Sequence, residues 1–106
     1  MKFVAVAACP AGLMHTFMAA SGLKKAAKKA GATMHVETQS ASGIEDQLTA
    51  AQISEADAVV LAIDVNIEGI ERFAGKPTLT IGTNDVLANA KGVIAQLTEM
   101  GAQANG

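Results

Sequence analysis

The chain reads as an α/β domain built on a parallel sheet with helices on both faces, and two observations predict this. Short β-like apolar runs alternate with stretches of helical period along the 106 residues, the pattern left by strand-helix-strand crossovers. Two of the runs, Lys2–Ala8 and Ala58–Ile63, are apolar from their first or second residue to their last, as central strands covered on both faces must be. With right-handed crossovers the predicted sheet is four-stranded and ordered 2-1-3-4. The loop after the first strand then opens where the order reverses, outside the carboxyl ends of the strands.

Each element carries its own signal. The second strand, Thr33–Thr38, alternates Met34 and Val36 against Thr33, His35 and Glu37, which suits a sheet edge with His35 at the surface. The fourth is Pro77–Ile81. In the first helix Leu13, Met14, Phe17, Met18 and Ala20 recur at helical spacing, so Met14 and Met18 read as core. Lys24, Lys25, Lys28 and Lys29 precede Gly31, a solvated helix end with its C-terminal cap. "SGIE" at Ser42–Glu45 and "TAAQ" at Thr49–Gln52 match the capping box and predict one or two short helices between strands two and three. A turn over Ile67–Phe73 stops at Gly75, with Phe73 in the core and Arg72 in an ion pair. The last helix starts near Thr83–Asp85 and carries Val86, Ala90, Val93, Leu97 and Met100 on one stripe, with Gly101–Gly106 expected to fray.

Composition limits the function. Half the residues are hydrophobic but only 3% are aromatic, with no Trp or Tyr, so Ala, Val, Ile, Leu and Met must build one close-packed core, and residues 1–106 are expected to form one domain. A formal charge of −2 from eight basic and ten acidic residues offers no field for a polyanion, which argues against nucleic acid as a partner. One cysteine forms no internal disulfide. Phe3–Ala8 is too short to span a membrane and is punctuated like a strand rather than a signal peptide. A cytoplasmic, reducing location is therefore expected.

The chemistry concentrates in "VAACPAGLMHT", Val6–Thr16. The apolar strand stops at Cys9-Pro10-Ala11-Gly12, and helical spacing resumes, so Cys9 sits at a helix entrance. Unpaired amide N–H groups and the positive end of the helix dipole stabilise a thiolate there, and would equally hold phosphate oxygens. Gly12 leaves room for a backbone curled around an anion, and Pro10 fixes the loop's φ. Pro10, Ala11, Gly12, Leu13, Met14, His15 and Thr16 form the candidate phosphate loop around the candidate nucleophile Cys9. His15 reads either as a donor to the phosphate or loop, or as a helix cap. Thr16 reads either as a donor to the Cys9 sulfur or as an ordinary terminal hydroxyl. Cys9, His15 and His35 lack any familiar zinc-ligand spacing, so neither metal nor cofactor is expected. Glu37–Gln39, Asp64–Asn66 and Gly82–Asn84 leave strand ends toward the same cleft; Asp64 and Asn66 read equally well as turn caps.

"CPAGLMHT" resembles the C-x5-R-[ST] phosphate loop of low-molecular-weight tyrosine phosphatases with His15 in place of Arg. A phosphatase or arsenate-reductase-like enzyme is thus the alternative reading. His gives one switchable donor where Arg gives a permanent bidentate clamp, and the chain has no Asp-Pro pair of the kind that family uses to protonate the leaving group. Passing a phosphoryl group on, rather than to water, fits better.

A wider resemblance covers nearly the whole chain. Cys9-Pro10-Ala11-Gly12, His15-Thr16-Phe17-Met18-Ala19-Ala20, "VETQ" at Val36–Gln39, Gly43-Ile44-Glu45, "ADAVVLAIDV" at Ala56–Val65 and "RFAGKP" at Arg72–Pro77 are similar to the fructose-type enzyme IIB component of the phosphoenolpyruvate-dependent sugar phosphotransferase system. The resemblance implies a flavodoxin-like four-stranded parallel sheet. It also implies that Cys9 accepts phosphate from a histidine of a IIA component, without a metal, and passes it to a sugar, fructose or a related one, bound by a membrane-embedded IIC component. The partners would meet a flat, partly apolar rim around the loop. Two positions depart from the family pattern: Ala11 stands where Thr is common, and Ser40 where Gly is.

Overall fold

The computed structural model describes residues 1–10, 13–40 and 43–105. Strand β1 (Lys2–Ala8) leads to helix α1 (Leu13–Lys29), then β2 (Thr33–Ser40), β3 (Gly43–Glu45), α2 (Ala50–Glu55), β4 (Ala58–Ile63), a 3-10 turn (Ile70–Phe73), β5 (Thr78–Ile81) and α3 (Thr83–Asn105). The sheet order is β3-β2-β1-β4-β5. The four parallel strands β2-β1-β4-β5 have the order anticipated from crossover handedness. The fifth is a correction. Gly43–Glu45, read together with Ser42 as a capping box, instead pairs antiparallel with β2 through Thr38↔Glu45, Gln39↔Ile44 and Ser40↔Gly43. It occupies an edge whose N–H and C=O groups would otherwise lack partners.

Alternation along β1 divides the core. Phe3, Ala5 and Ala7 face α1 and α3, where they join Ala19, Ala20, Leu23, Ala27, Val86, Ile94 and Leu97. Val4 and Val6 face the other side with Leu48, Ile53, Ala56, Val59, Leu61 and Phe73. The small side chains let helix approach sheet and helix approach helix: a Cβ built on Gly22 of α1 would lie 3.9 Å from the Ala90 Cβ of α3.

Several further expectations are revised. Met14, Phe17 and Met18 are 76%, 40% and 52% exposed, because the inward stripe of α1 is Thr16, Ala19, Ala20, Leu23 and Ala27. Side-chain size had pointed to the wrong face. Glu37 is buried with Val36 and Thr38, since β3 and Leu48 cover the far half of β2. The last helix does not fray at Gly101 but runs to Asn105. Gly101 is buried, and a Cβ there would approach the Cβ of Asp57 and the Met1 sulfur at 3.2 Å, so close packing anchors that turn. Within α3, Asn89 leaves helical geometry (φ −156°, ψ 62°). Its Oδ1 accepts from the Gly92 N–H at 3.1 Å, an internal cap that restarts the helix.

The other signals hold. Gly31 adopts φ 75° after Lys29, Phe73 is buried and His35 is exposed. Thr49 caps α2 with both halves of the capping box: Thr49 Oγ1 accepts from the Gln52 N–H at 3.1 Å, and Gln52 Oε1 accepts from the Thr49 N–H at 2.9 Å. We expect Thr49→Ala to cost about 1 kcal/mol, read as a lowered urea midpoint at unchanged slope; an unmoved midpoint would show that α2 is held by packing alone.

Candidate active site

Four segments deliver side chains to the carboxyl end of the sheet. Cys9 follows β1, Asp64 follows β4, Thr83 and Asn84 open α3 after β5, and His15 lies in the first turn of α1. The Asp64 N–H donates to the Ala8 carbonyl at 3.0 Å, which sets the end of β4 beside the end of β1. Cys9 is half-buried, while Asp64 and Asn84 are exposed, so the cluster opens to solvent.

Hydrogen bonds link its polar atoms. Thr83 Oγ1 donates to Asp64 Oδ2 at 2.5 Å, and the Thr83 N–H donates to Oδ1 at 3.3 Å. A hydroxyl has one proton, so the 3.1 Å contact between Thr83 Oγ1 and His15 Nδ1 is an Nδ1–H donating to oxygen. The same Nδ1 lies 3.1 Å from Cys9 Sγ, and this N–H is therefore shared between hydroxyl and sulfur. On the other side of the ring, Nε2 lies 3.1 Å from Asn84 Oδ1. The Thr83 hydroxyl is the largest influence holding the Asp64 carboxyl below its usual range; desolvation, the next, raises it, and the Cys9 S–H, the Thr83 N–H and the charge of His15 lower it further.

Beyond Cys9 a shallow cavity of about 270 Å³ is lined by Ala8, Cys9, Pro10, Gln39, Ser40, Val65 and Asn66. Its wall is braced from behind. Arg72 makes two parallel bonds to the fully buried Glu37 carboxylate, at 2.8 and 3.0 Å, and its guanidinium lies 5.0 Å from the Phe73 ring centroid. Gln39 donates to Glu37 Oε2 and to the Glu68 carbonyl, and accepts from the Glu68 N–H at 2.9 Å. Gly69 has φ 75°, and a Cβ there would lie 2.5 Å from Arg72 Nε, so the brace needs glycine. Burial pushes the Glu37 carboxyl up, but hydrogen bonds from Arg72, Gln39 and the Leu48 N–H, with the charge of Arg72, outweigh it and leave it below its ordinary value.

Of the residues singled out from sequence, Cys9 and His15 are in direct contact, Pro10 and Met14 are exposed, and Thr16 is fully buried. Leu13 begins α1. Ala11 and Gly12, the centre of the candidate phosphate loop, lie outside the described residues. The sequence places Asp64, Thr83 and Asn84 only at strand ends facing the cleft, with a turn cap as the alternative for Asp64, and does not join them to Cys9. The available signal was positional: each is a polar residue just past the carboxyl end of an apolar parallel strand.

Fold and site together define a flavodoxin-like domain with a thiol and a polar cluster at the switch point of its sheet. The profile of the family described as "PTS system, Lactose/Cellobiose specific IIB subunit" matches residues 4–96. "PTS system fructose-like EIIB component 1" of Escherichia coli K12 is 43% identical over 99 residues, covering 93% of this chain and 92% of that protein. The "fructose-like EIIB component 2" of the same strain is 42% identical over 96 residues, covering 91% of each. Among solved structures, an Enzyme IIB subunit from E. coli K12 superimposes with a TM-score of 0.90 at 42% identity, covering 99% of this chain and 97% of that one. A domain of a fructose-specific IIABC component from Borrelia burgdorferi gives 0.86 at 41% identity, covering 91% of each. The chain belongs to the IIB subunits of the sugar phosphotransferase system, which are phosphoryl carriers working between IIA and IIC components. Among the described residues no helix is long and apolar enough to cross a membrane.

Proposed function

We propose that Cys9 carries the phosphoryl group as phosphocysteine in the cytoplasm, taking it from a phosphohistidine of a IIA component and giving it to a sugar held by a membrane IIC component. The observation that carries this reading is the placement of Cys9 Sγ 3.1 Å from His15 Nδ1, at the switch point of the sheet and open to solvent. The near full-length relatives named fructose-like favour fructose or a related sugar over the lactose and cellobiose of the family's description.

In the first transfer the Cys9 S–H proton passes to Asp64, with which it is already hydrogen-bonded. The sulfur lone pair attacks phosphorus in line, the P–N bond breaks, and its electron pair stays on the donor imidazole. The His15 Nδ1–H then turns from sulfur to a phosphoryl oxygen, and backbone amides of the loop supply the remaining donors. In the second transfer a sugar hydroxyl attacks phosphorus and loses its proton. The P–S bond breaks, and sulfur regains the pair and a proton. Exposed Met14, Phe17 and Met18 of α1 and Leu87 of α3 form the apolar rim where the partners dock.

Intact-mass measurement after incubation with phosphoenolpyruvate, the two general carriers and candidate IIA proteins tests this. One added phosphoryl group mapping to Cys9 is expected, with no turnover of an aryl phosphate; addition at another residue, or steady aryl phosphate hydrolysis, would overturn it. Asp64→Asn should slow phosphorylation by about 100-fold, the lower range for a positioned proton acceptor. A rate equal to the parent's would remove Asp64 from the proton path.

A further inference from the structure

We propose that Cys9, His15 and Asp64 form a binding site for a borderline divalent cation of the zinc class, and that such an ion caps the nucleophile reversibly. The proposal rests on the reading of Cys9 as nucleophile only for its consequence, not for the binding itself.

The donor set is suitable. Sγ, Nδ1 and an Asp64 carboxylate oxygen lie within 4.8 Å of one another. A tetrahedral ion with bonds of about 2.0–2.3 Å spaces its ligand atoms roughly 3.3–3.7 Å apart. Side-chain shifts of about 1 Å or less therefore bring the three onto one centre, with the fourth position open to water. One thiolate, one imidazole and one carboxylate suit Zn²⁺ or Co²⁺ rather than Mg²⁺ or Ca²⁺.

The second observation lies in the groups behind the ligands. An imidazole bound through Nδ1 must present Nε2–H to an acceptor, and Asn84 Oδ1 stands there at 3.1 Å. The carboxylate is oriented by two donors of one residue, the Thr83 hydroxyl and N–H. Each carboxylate oxygen keeps a second lone pair. Asp64 therefore need not give up Thr83 to take the ion, and Thr83 loses only its contact with Nδ1. On binding, the Cys9 thiol proton leaves to solvent, the imidazole proton sits on Nε2 facing Asn84, and the ion takes the lone pairs of Sγ and Nδ1. A sulfur so engaged cannot attack phosphorus, so occupancy and phosphorylation exclude each other.

Titration of the reduced full chain with Co²⁺, without any phosphoryl donor, tests the site separately from the carrier reading. One equivalent should produce a sulfur-to-cobalt charge-transfer band with tetrahedral visible absorption, displaced by Zn²⁺. Zn²⁺ should protect Cys9 from iodoacetamide, and a chelator should restore alkylation. Cys9→Ser should abolish the band, and Asp64→Asn and the surface change Asn84→Ala should each weaken affinity by about 10-fold or more. Circular dichroism of each variant separates lost binding from lost folding, and the exposed position of Asn84 keeps one informative variant folded. A band of unchanged affinity in both Asp64→Asn and Asn84→Ala would mean capture by the thiol alone and overturn the site, as would octahedral absorption or alkylation unaffected by Zn²⁺. None of these outcomes bears on whether Cys9 is phosphorylated.

Discussion

Cys9→Ser is expected to abolish phosphoryl transfer while leaving the fold intact. Serine keeps the shape of the side chain but replaces a polarizable, intrinsically strong nucleophile with a hydroxyl that stays protonated unless a base removes its proton in the transition state. Asp64 is an exposed carboxylate held below the usual carboxyl range, and so is a weak base for a hydroxyl. Loss of an essential nucleophile costs at least about 10⁴-fold, equivalent to roughly 5.5 kcal/mol of barrier. Cys9 is half-buried at a strand end, so the variant should melt within about 2 °C of the parent. Phosphorylation rate by intact mass and thermal unfolding by circular dichroism together separate the two effects. A serine variant phosphorylated within 10-fold of the parent rate would move the phosphate to another residue.

That prediction could be made from the letters, but the surroundings of Cys9 could not. The central strands were legible because Phe3–Ala8 and Ala58–Ile63 are unbroken apolar runs, and their order followed from chain handedness. The antiparallel β3 was hidden because "SGIE" satisfies a helix-start pattern, and only the available edge of β2 decides against it. Met14, Phe17 and Met18 misled for a related reason. Periodicity locates an apolar stripe but does not reveal that Ala19, Ala20 and Ala27 are the close-packing side of α1. The cluster of Cys9, His15, Asp64, Thr83 and Asn84 depends on contacts spanning up to 69 residues, which no local spacing encodes. What the sequence did carry was the direction of each loop, since parallel strands send all their carboxyl ends to one side.

The brace behind the cavity gives the second large effect, and it has a pH signature. Arg72→Met should destabilise the fold by about 3 kcal/mol at pH 7, the low end for removing one partner of a buried pair, and lower the melting temperature by roughly 15 °C. The side chain of Glu37 is fully buried and that of Arg72 is 21% exposed, so solvent screens the pair only weakly. In the parent the Glu37 carboxyl sits below its ordinary value of 4.5. Its contribution to stability is complete above that value and disappears as pH falls through the lower, folded-state value. Without Arg72 two of the influences that lower the Glu37 carboxyl are gone while burial, the largest single influence on it, remains, so the carboxyl rises from its value in the parent. The variant's penalty is therefore greatest at neutral pH and shrinks as pH falls from 4.5 toward the parent's lower, folded-state value, as the carboxyl takes up its proton. Adding Glu37→Gln to Arg72→Met should recover at least half the loss at pH 7, because the amide keeps an acceptor for Leu48 without a buried charge. Urea unfolding of the parent and both variants at pH 7 and pH 4 measures all of this. A penalty of equal size at the two pH values would mean that Arg72 acts by packing on Phe73 rather than by holding a buried charge. Because Gln39 joins this pair to Glu68 and also lines the cavity beside Cys9, the same variant should slow phosphorylation a few-fold well below its melting temperature.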